Sequence, residues 1–234
     1  MPELLHAPQP GRRFDTVVFD LDGTLLDTLP DLVELTNATL RACGFPTHTR
    51  EEVLSYVGSG VEALIRMAVP QGTPEAAIER ASACWKELYP DYGYNLTRPY
   101  PGIPEMLDAL NHRGMKLAVL SNKFDGAVHD VIEAFLPGKF AAVHGESPDC
   151  PRKPDPTGLN RLLAGLGSCA ERCIFVGDSS NDVCVAKASS SYSIGVTWGY
   201  GSRETLVSDG ADLLADNAAE LQDALEHLRS PFEA

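Results

Sequence analysis

The chain lacks an 18-residue apolar run, a long lysine–arginine run, a CxxC pair and any two histidines at helical spacing. The first absence argues against a membrane-spanning helix. The second argues against nucleic acid as a partner, because a phosphate-backbone binder carries a basic face. The last two remove the usual thiolate and imidazole signatures of a zinc site or a redox dithiol. The opening MPELLHAPQPGRR has no apolar segment of the kind that directs secretion, so residues 1–13 are expected to form a loose tail. Cys43, Cys84, Cys150, Cys169, Cys173 and Cys184 are scattered, which fits reduced thiols in a cytoplasmic protein. Asn95-Leu96-Thr97 matches a glycosylation acceptor, but the match is short and matters only on a secretory route.

Positive charge is also scarce. With 19 Lys+Arg against 33 Asp+Glu, the formal net charge is −14, so a phosphate-binding site on this surface needs concentrated local positive charge, which a divalent metal supplies. What is present is ordinary for a globular chain: 44% hydrophobic and 22% charged residues over 234 positions, enough for a core domain with a smaller insert.

Thr16 to Phe19, Lys116 to Leu120 and Cys173 to Val176 are short apolar runs that each stop at polar residues, as buried parallel strands do where their carboxyl ends meet solvent. Weaker strand signals lie at Phe140 to Val143, Ser193 to Val196 and Asp212 to Leu214. Helical patterns at Pro104 to Arg113, Pro156 to Leu166 and Ala218 to Leu228 alternate with them, so the expected fold is α/β with a doubly wound parallel sheet. Residues 29–98 break the alternation. Their apolar positions (Leu32, Leu35; Val61, Leu64, Ile65; Ala77, Ala81, Trp85) recur at helical spacing, and glycines and prolines, Pro90 among them, divide the stretch into about four helices. The expected organisation is a core of 14–28 and 99–234 interrupted by a helical unit over 29–98.

Ligands of such a sheet bind at the carboxyl ends of its strands, where this sequence places Asp20, Asp22, Ser121, Lys153 and Asp178. Asp20-Leu21-Asp22-Gly23-Thr24 sets two carboxylates two positions apart beside a turn-permitting glycine, so one can attack a phosphoryl group while the other moves protons. Alone, the pattern also fits an Asp-Gly turn after a strand. Gly177-Asp178-Ser179-Ser180-Asn181-Asp182 again places carboxylates after an apolar strand, a hard-oxygen set suited to Mg²⁺. Alone, it also fits a helix cap with a first-turn acid. Lys153 can compensate phosphoryl charge, and Ser121-Asn122-Lys123 can add hydroxyl and amide donors. Trp85 and Trp198 are expected to be packing anchors.

Together and in this order, the four segments resemble the haloacid dehalogenase superfamily of phosphatases. That resemblance implies Asp20 as nucleophile and Asp22 as acid/base. It implies Mg²⁺ held by Asp20, the Asp22 backbone carbonyl and Asp178, with Asp182 supporting the metal site, and Ser121 and Lys153 on the phosphoryl group. The 29–98 insert resembles the family's C1 cap. Tyr56-Val57-Gly58-Ser59-Gly60, Tyr100-Pro101-Gly102 and Gly195-Val196-Thr197-Trp198-Gly199-Tyr200-Gly201 are similar to segments of its phosphoglycolate phosphatases. Gly58, Ser59, Gly60 and Asn122 are then the expected substrate contacts, with a small phosphorylated molecule as partner and the oligomeric state open. Arg66 is weighed as a carboxylate partner and read instead as a solvated charge. Lys86 is read as a surface charge rather than a Schiff-base lysine. A sugar-phosphate mutase, a pyrophosphatase or phosphosugar phosphatase on the same core, a phosphorelay receiver and a non-catalytic phosphate-binding protein are the competing readings.

Overall fold

A computed structural model describes residues 1–228. The chain opens with β1 (Glu3–Leu4), β2 (Thr16–Phe19) and β3 (Leu26–Asp27), followed by four helices: α1 (Leu29–Ala42), α2 (Arg50–Tyr56), α3 (Gly60–Ala68) and α4 (Glu75–Tyr92). It continues with β4 (Arg98–Pro99), α5 (Ile103–His112), β5 (Lys116–Phe124), α6 (Asp125–Phe135), β6 (Ala142–Glu146) and α7 (Thr157–Gly165). A single 3-10 turn, Ala170–Arg172, then leads to β7 (Cys173–Gly177), α8 (Ser180–Ser189), β8 (Tyr192–Val196), α9 (Arg203–Ser208), β9 (Leu213–Ala215) and α10 (Ala218–Leu228).

Seven strands form one sheet in the order β1-β9-β8-β7-β2-β5-β6, parallel except where β1 pairs antiparallel with β9. All four residues of β2 and all five of β7 are buried, as strands covered by helices on both faces must be. Numbered in chain order, the six parallel strands lie 3-2-1-4-5-6, and the order reverses between β2 and β7. The crevice of such a sheet opens at that reversal, beyond the carboxyl ends of the two strands. Asp20 and Asp178 are the residues that follow β2 and β7 there.

Three expectations need correction. The tail is not loose throughout: Glu3 and Leu4 pair with Leu214 and Leu213, and Arg12 donates to the carbonyls of Glu171, Ala170 and Ser190. β5 does not end at Leu120 but continues through Ser121, Asn122 and Lys123 to Phe124, with a register shift against β6 between Leu120 and Phe124. Such an irregularity re-aims side chains at the sheet rim, so these residues stand on strand rather than loop. Pro90 does not divide α4, because it falls in the last turn, where the missing N–H removes only one bond.

α1 and α4 bury Leu32, Leu35 and Leu40 against Ile78, Ala81 and Trp85, and the Trp85 indole N–H donates to Thr36 Oγ1 at 3.4 Å. The helical segment joins the rest of the chain through two crossings. β3 and β4 pair there, Leu26 with Pro99 and Asp27 with Arg98. The fully buried Asp31 carboxylate accepts from Leu96 N, Thr97 N and Thr97 Oγ1, which ties the two crossings together.

Candidate active site

A cavity of about 180 Å³ lies over the strand ends, and Asp20, Asp22, Ser121, Asn122, Lys153, Asp178, Gly58 and Gly60 all line it. Residues separated by more than 150 positions therefore share one site, as the strand grammar of the sequence requires. Asp182 and Ser59 do not line the cavity. Asp182 stands behind Lys153, and the Ser59 carbonyl accepts from Arg152 at 2.8 Å. Arg66 is on the exterior, paired with Glu62 and Glu75, and Lys86 is exposed.

Lys153 is the electrostatic centre. Its ammonium lies 2.7 Å from Asp20 Oδ1 and 2.7 Å from Asp182 Oδ1, with its side chain only 2% exposed. Burial alone would lower its pKa, but Asp182 and Asp20 outweigh burial and hold it above the usual lysine range. Asp182 is itself fixed by a capping box at the start of α8: its Oδ2 accepts from Ser179 N at 2.9 Å and Ser179 Oγ at 2.6 Å.

Asp178 accepts from Thr24 Oγ1 at 3.0 Å and from Tyr200 N at 2.6 Å. Its surroundings are built of glycine because nothing larger fits. A Cβ on Gly23 would sit 2.5 Å from Asp178 Oδ2, one on Gly199 2.4 Å from Asp178 Cβ, and one on Gly201 2.0 Å from the Asp178 carbonyl. Gly23 also has φ +84°, a conformation that side-chain-bearing residues rarely adopt.

Asp20, Asp178 and Asp182 offer carboxylate oxygens within 4.8 Å of one another, all buried. Burial and then Asp182 push Asp178 up to about 6, and the same two causes raise Asp20 well above the carboxylate range. With all three carboxylates ionised, the one ammonium beside them leaves two negative charges uncompensated, which is the repulsion that a cation would relieve. That excess, on hard oxygen donors at a strand rim, fits a small divalent cation such as Mg²⁺.

Asp22 Oδ1 accepts from Thr28 Oγ1 at 2.6 Å. Thr28 is the N-cap of α1, and its N–H and that of Leu29 both donate to the Tyr200 hydroxyl at 2.8 Å. The Gly58 carbonyl accepts from Asn122 Nδ2 at 2.9 Å and Asn181 Nδ2 at 3.1 Å, which lays the α2–α3 loop across the strand ends. Asn122 also receives Lys153 N on Oδ1 at 2.6 Å, so its side chain is bonded to protein on both atoms. Leu32, Leu54, Val57, Val61, Leu64 and Trp85 complete an apolar roof.

Sequence reasoning missed Lys123, Thr28, Tyr200, Asn181 and Arg152 as parts of this assembly. Tyr200 and Lys123 lie within segments quoted above, but a single tyrosine or lysine has no pattern until the fold gives it neighbours.

A doubly wound sheet with an acidic cluster and a buried lysine at its switch point, roofed by inserted helices, defines an α/β enzyme that handles a charged small molecule. Comparison with known proteins makes the class particular. The family model for haloacid dehalogenase-like hydrolases matches residues 17–196. Phosphoglycolate phosphatase of Vibrio cholerae is 37% identical over 212 residues, covering 88% of this chain and 94% of the relative. The Vibrio vulnificus enzyme of the same name is 37% identical over 218 residues, covering 89% and 95%. A crystal structure described as a predicted phosphoglycolate phosphatase from Haemophilus somnus superposes with TM-score 0.84 at 28% identity, covering 90% and 97%. The chain belongs to the haloacid dehalogenase-like hydrolase family.

Proposed function

We propose that this protein is a Mg²⁺-dependent phosphatase for 2-phosphoglycolate, with residues 14–28 and 99–234, the last six of which lie outside the described residues, as catalytic core and 29–98 as cap. The observation that carries the reading is the convergence of Asp20, Asp22, Ser121, Lys153 and Asp178 on one small cavity. The substrate name comes from relatives that match this chain over nearly their whole length. The cavity is smaller than the usual range for drug-sized ligands, which suits a short ester.

An Asp20 carboxylate oxygen attacks phosphorus, and the bond from phosphorus to the ester oxygen breaks. Asp22, oriented by Thr28, gives its proton to the departing glycolate oxygen. Water then attacks the phosphorus of the aspartyl phosphate, Asp22 takes the water proton, inorganic phosphate leaves and the Asp20 carboxylate is regenerated. Lys153 and Ser121 hold the phosphoryl oxygens in both steps. Asp20, the Asp22 carbonyl and Asp178 would hold Mg²⁺, whose chemistry is to neutralise phosphoryl charge beside the attacking carboxylate. The helical roof excludes water from the first step. All six cysteines are free, in keeping with a reducing, cytoplasmic setting, and no described helix is long and apolar enough to cross a membrane.

The test is phosphate release from a panel of esters, with Mg²⁺ or with chelator, for wild type and D20N. The reading expects release that prefers 2-phosphoglycolate, needs Mg²⁺ and vanishes in D20N. Release by folded D20N at the wild-type rate would end it.

A further inference from the structure

The cavity contains two ammonium groups, and they are not equivalent. Lys153 has a carboxylate oxygen at 2.7 Å on each of two sides. The Lys123 ammonium has, among the described residues, one hydrogen-bond partner, Asp22 Oδ1 at 3.5 Å, and lies 5.5 Å from the centre of the Tyr89 ring. Yet the Lys123 side chain is 4% exposed and the residue lines the cavity. An ammonium carries three donors, and a buried charge is retained where a partner compensates it. A single 3.5 Å contact and a ring face leave room for a second anion.

Its position says which anion. Asp22 is the group that hands a proton to the departing oxygen, so a cation beside Asp22 lies beside the leaving group rather than the phosphoryl group. In a phosphorylated 2-hydroxy acid the carboxylate is two bonds from that oxygen. The rest of the roof offers little to a polyhydroxylated leaving group. Its side chains are Leu32, Leu54, Val57, Val61, Leu64 and Trp85, Asn122 is bonded to protein on both amide atoms, and Asn181 gives an amide N–H to Gly58. Sugar hydroxyls held against these apolar side chains would lose water and find few partners.

We infer that Lys123 is the specificity-determining residue of the site, receiving the carboxylate of a short phosphorylated acid while the apolar roof disfavours sugar phosphates. The inference rests on the phosphatase reading above and names the contact that would make the substrate an acid.

The experiment compares kcat/KM for 2-phosphoglycolate with that for ethyl phosphate, which has the same short tail without the charge, in wild type, K123M and K123R. The ratio is the readout, so any general effect on Asp22 cancels. One charge-assisted contact corresponds to about 10- to 100-fold. Wild type should prefer the acid by at least that factor, K123M should lose the preference by about 10- to 100-fold, and K123R, which keeps the buried charge and its folding contacts, should keep most of it. A K123M enzyme that slows equally on both esters while the wild-type preference persists overturns the inference alone, leaving Lys123 to serve Asp22 or the fold. Equal wild-type turnover of the two esters overturns the substrate reading and the inference together.

Discussion

Lys153 pairs with Asp20 and Asp182 in the folded site and, in the proposed reaction, holds the phosphate through the same charge; the two roles separate experimentally. K153M should lower kcat by about 10²- to 10³-fold, the usual effect of removing a preorganised donor from a transition state. It also leaves Asp20 and Asp182 facing each other unpaired, which should lower stability by about 3–5 kcal/mol. Adding D182N removes one of the stranded charges, so K153M/D182N should regain stability without regaining activity. Thermal melts beside phosphate-release rates check this, and recovery of both quantities would show that Lys153 does no chemistry. Thiol reactivity gives an independent reading of burial. Cys169 is exposed, whereas burial pushes the Cys173 thiol up to about 12, so alkylation at pH 8 should label Cys169 in the native state and spare Cys173 until unfolding. Peptide mapping decides it.

Among the elements, the paired crossings β3 and β4 hold the helical segment to the sheet, and Asp31 is their clasp. D31A strands three donors, at Leu96 and Thr97, in a buried place. A loss of about 2–4 kcal/mol is expected from urea unfolding, and a change below 0.5 kcal/mol would contradict the clasp. None of this was legible beforehand, because a two-residue ribbon has no periodicity and an aspartate on an amphipathic helix looks like any solvated charge. The strands were legible for the opposite reason. TVVF and CIFVG are covered on both faces, so their apolar runs are unbroken and the polar residues that end them mark the rim. The rim extension of β5 was hidden because Ser121, Asn122 and Lys123 are polar residues on strand, which sequence alone reads as loop. Asp20, Asp22, Lys153 and Asp178 were visible as a set, whereas Lys123 and Tyr200 acquire meaning only from what the fold puts beside them.

For the whole molecule, net charge −14 and three buried carboxylates that lie close together make Mg²⁺ binding, as proposed, a stabilising event. Mg²⁺ should raise the melting temperature in proportion to the logarithm of its concentration, and G23A, whose Cβ would press on Asp178, should abolish most of that rise. An unchanged Mg²⁺ response in G23A would place the ion elsewhere. In the proposed mechanism the phosphoryl group passes through Asp20, and that transfer can be seen directly. Wild-type protein mixed with 2-phosphoglycolate and Mg²⁺, quenched in acid within the first turnovers and mapped by mass spectrometry, should carry one phosphoryl group on the peptide containing Asp20. Turnover with no phosphoryl group on that peptide, or with the group on another residue, would contradict the account.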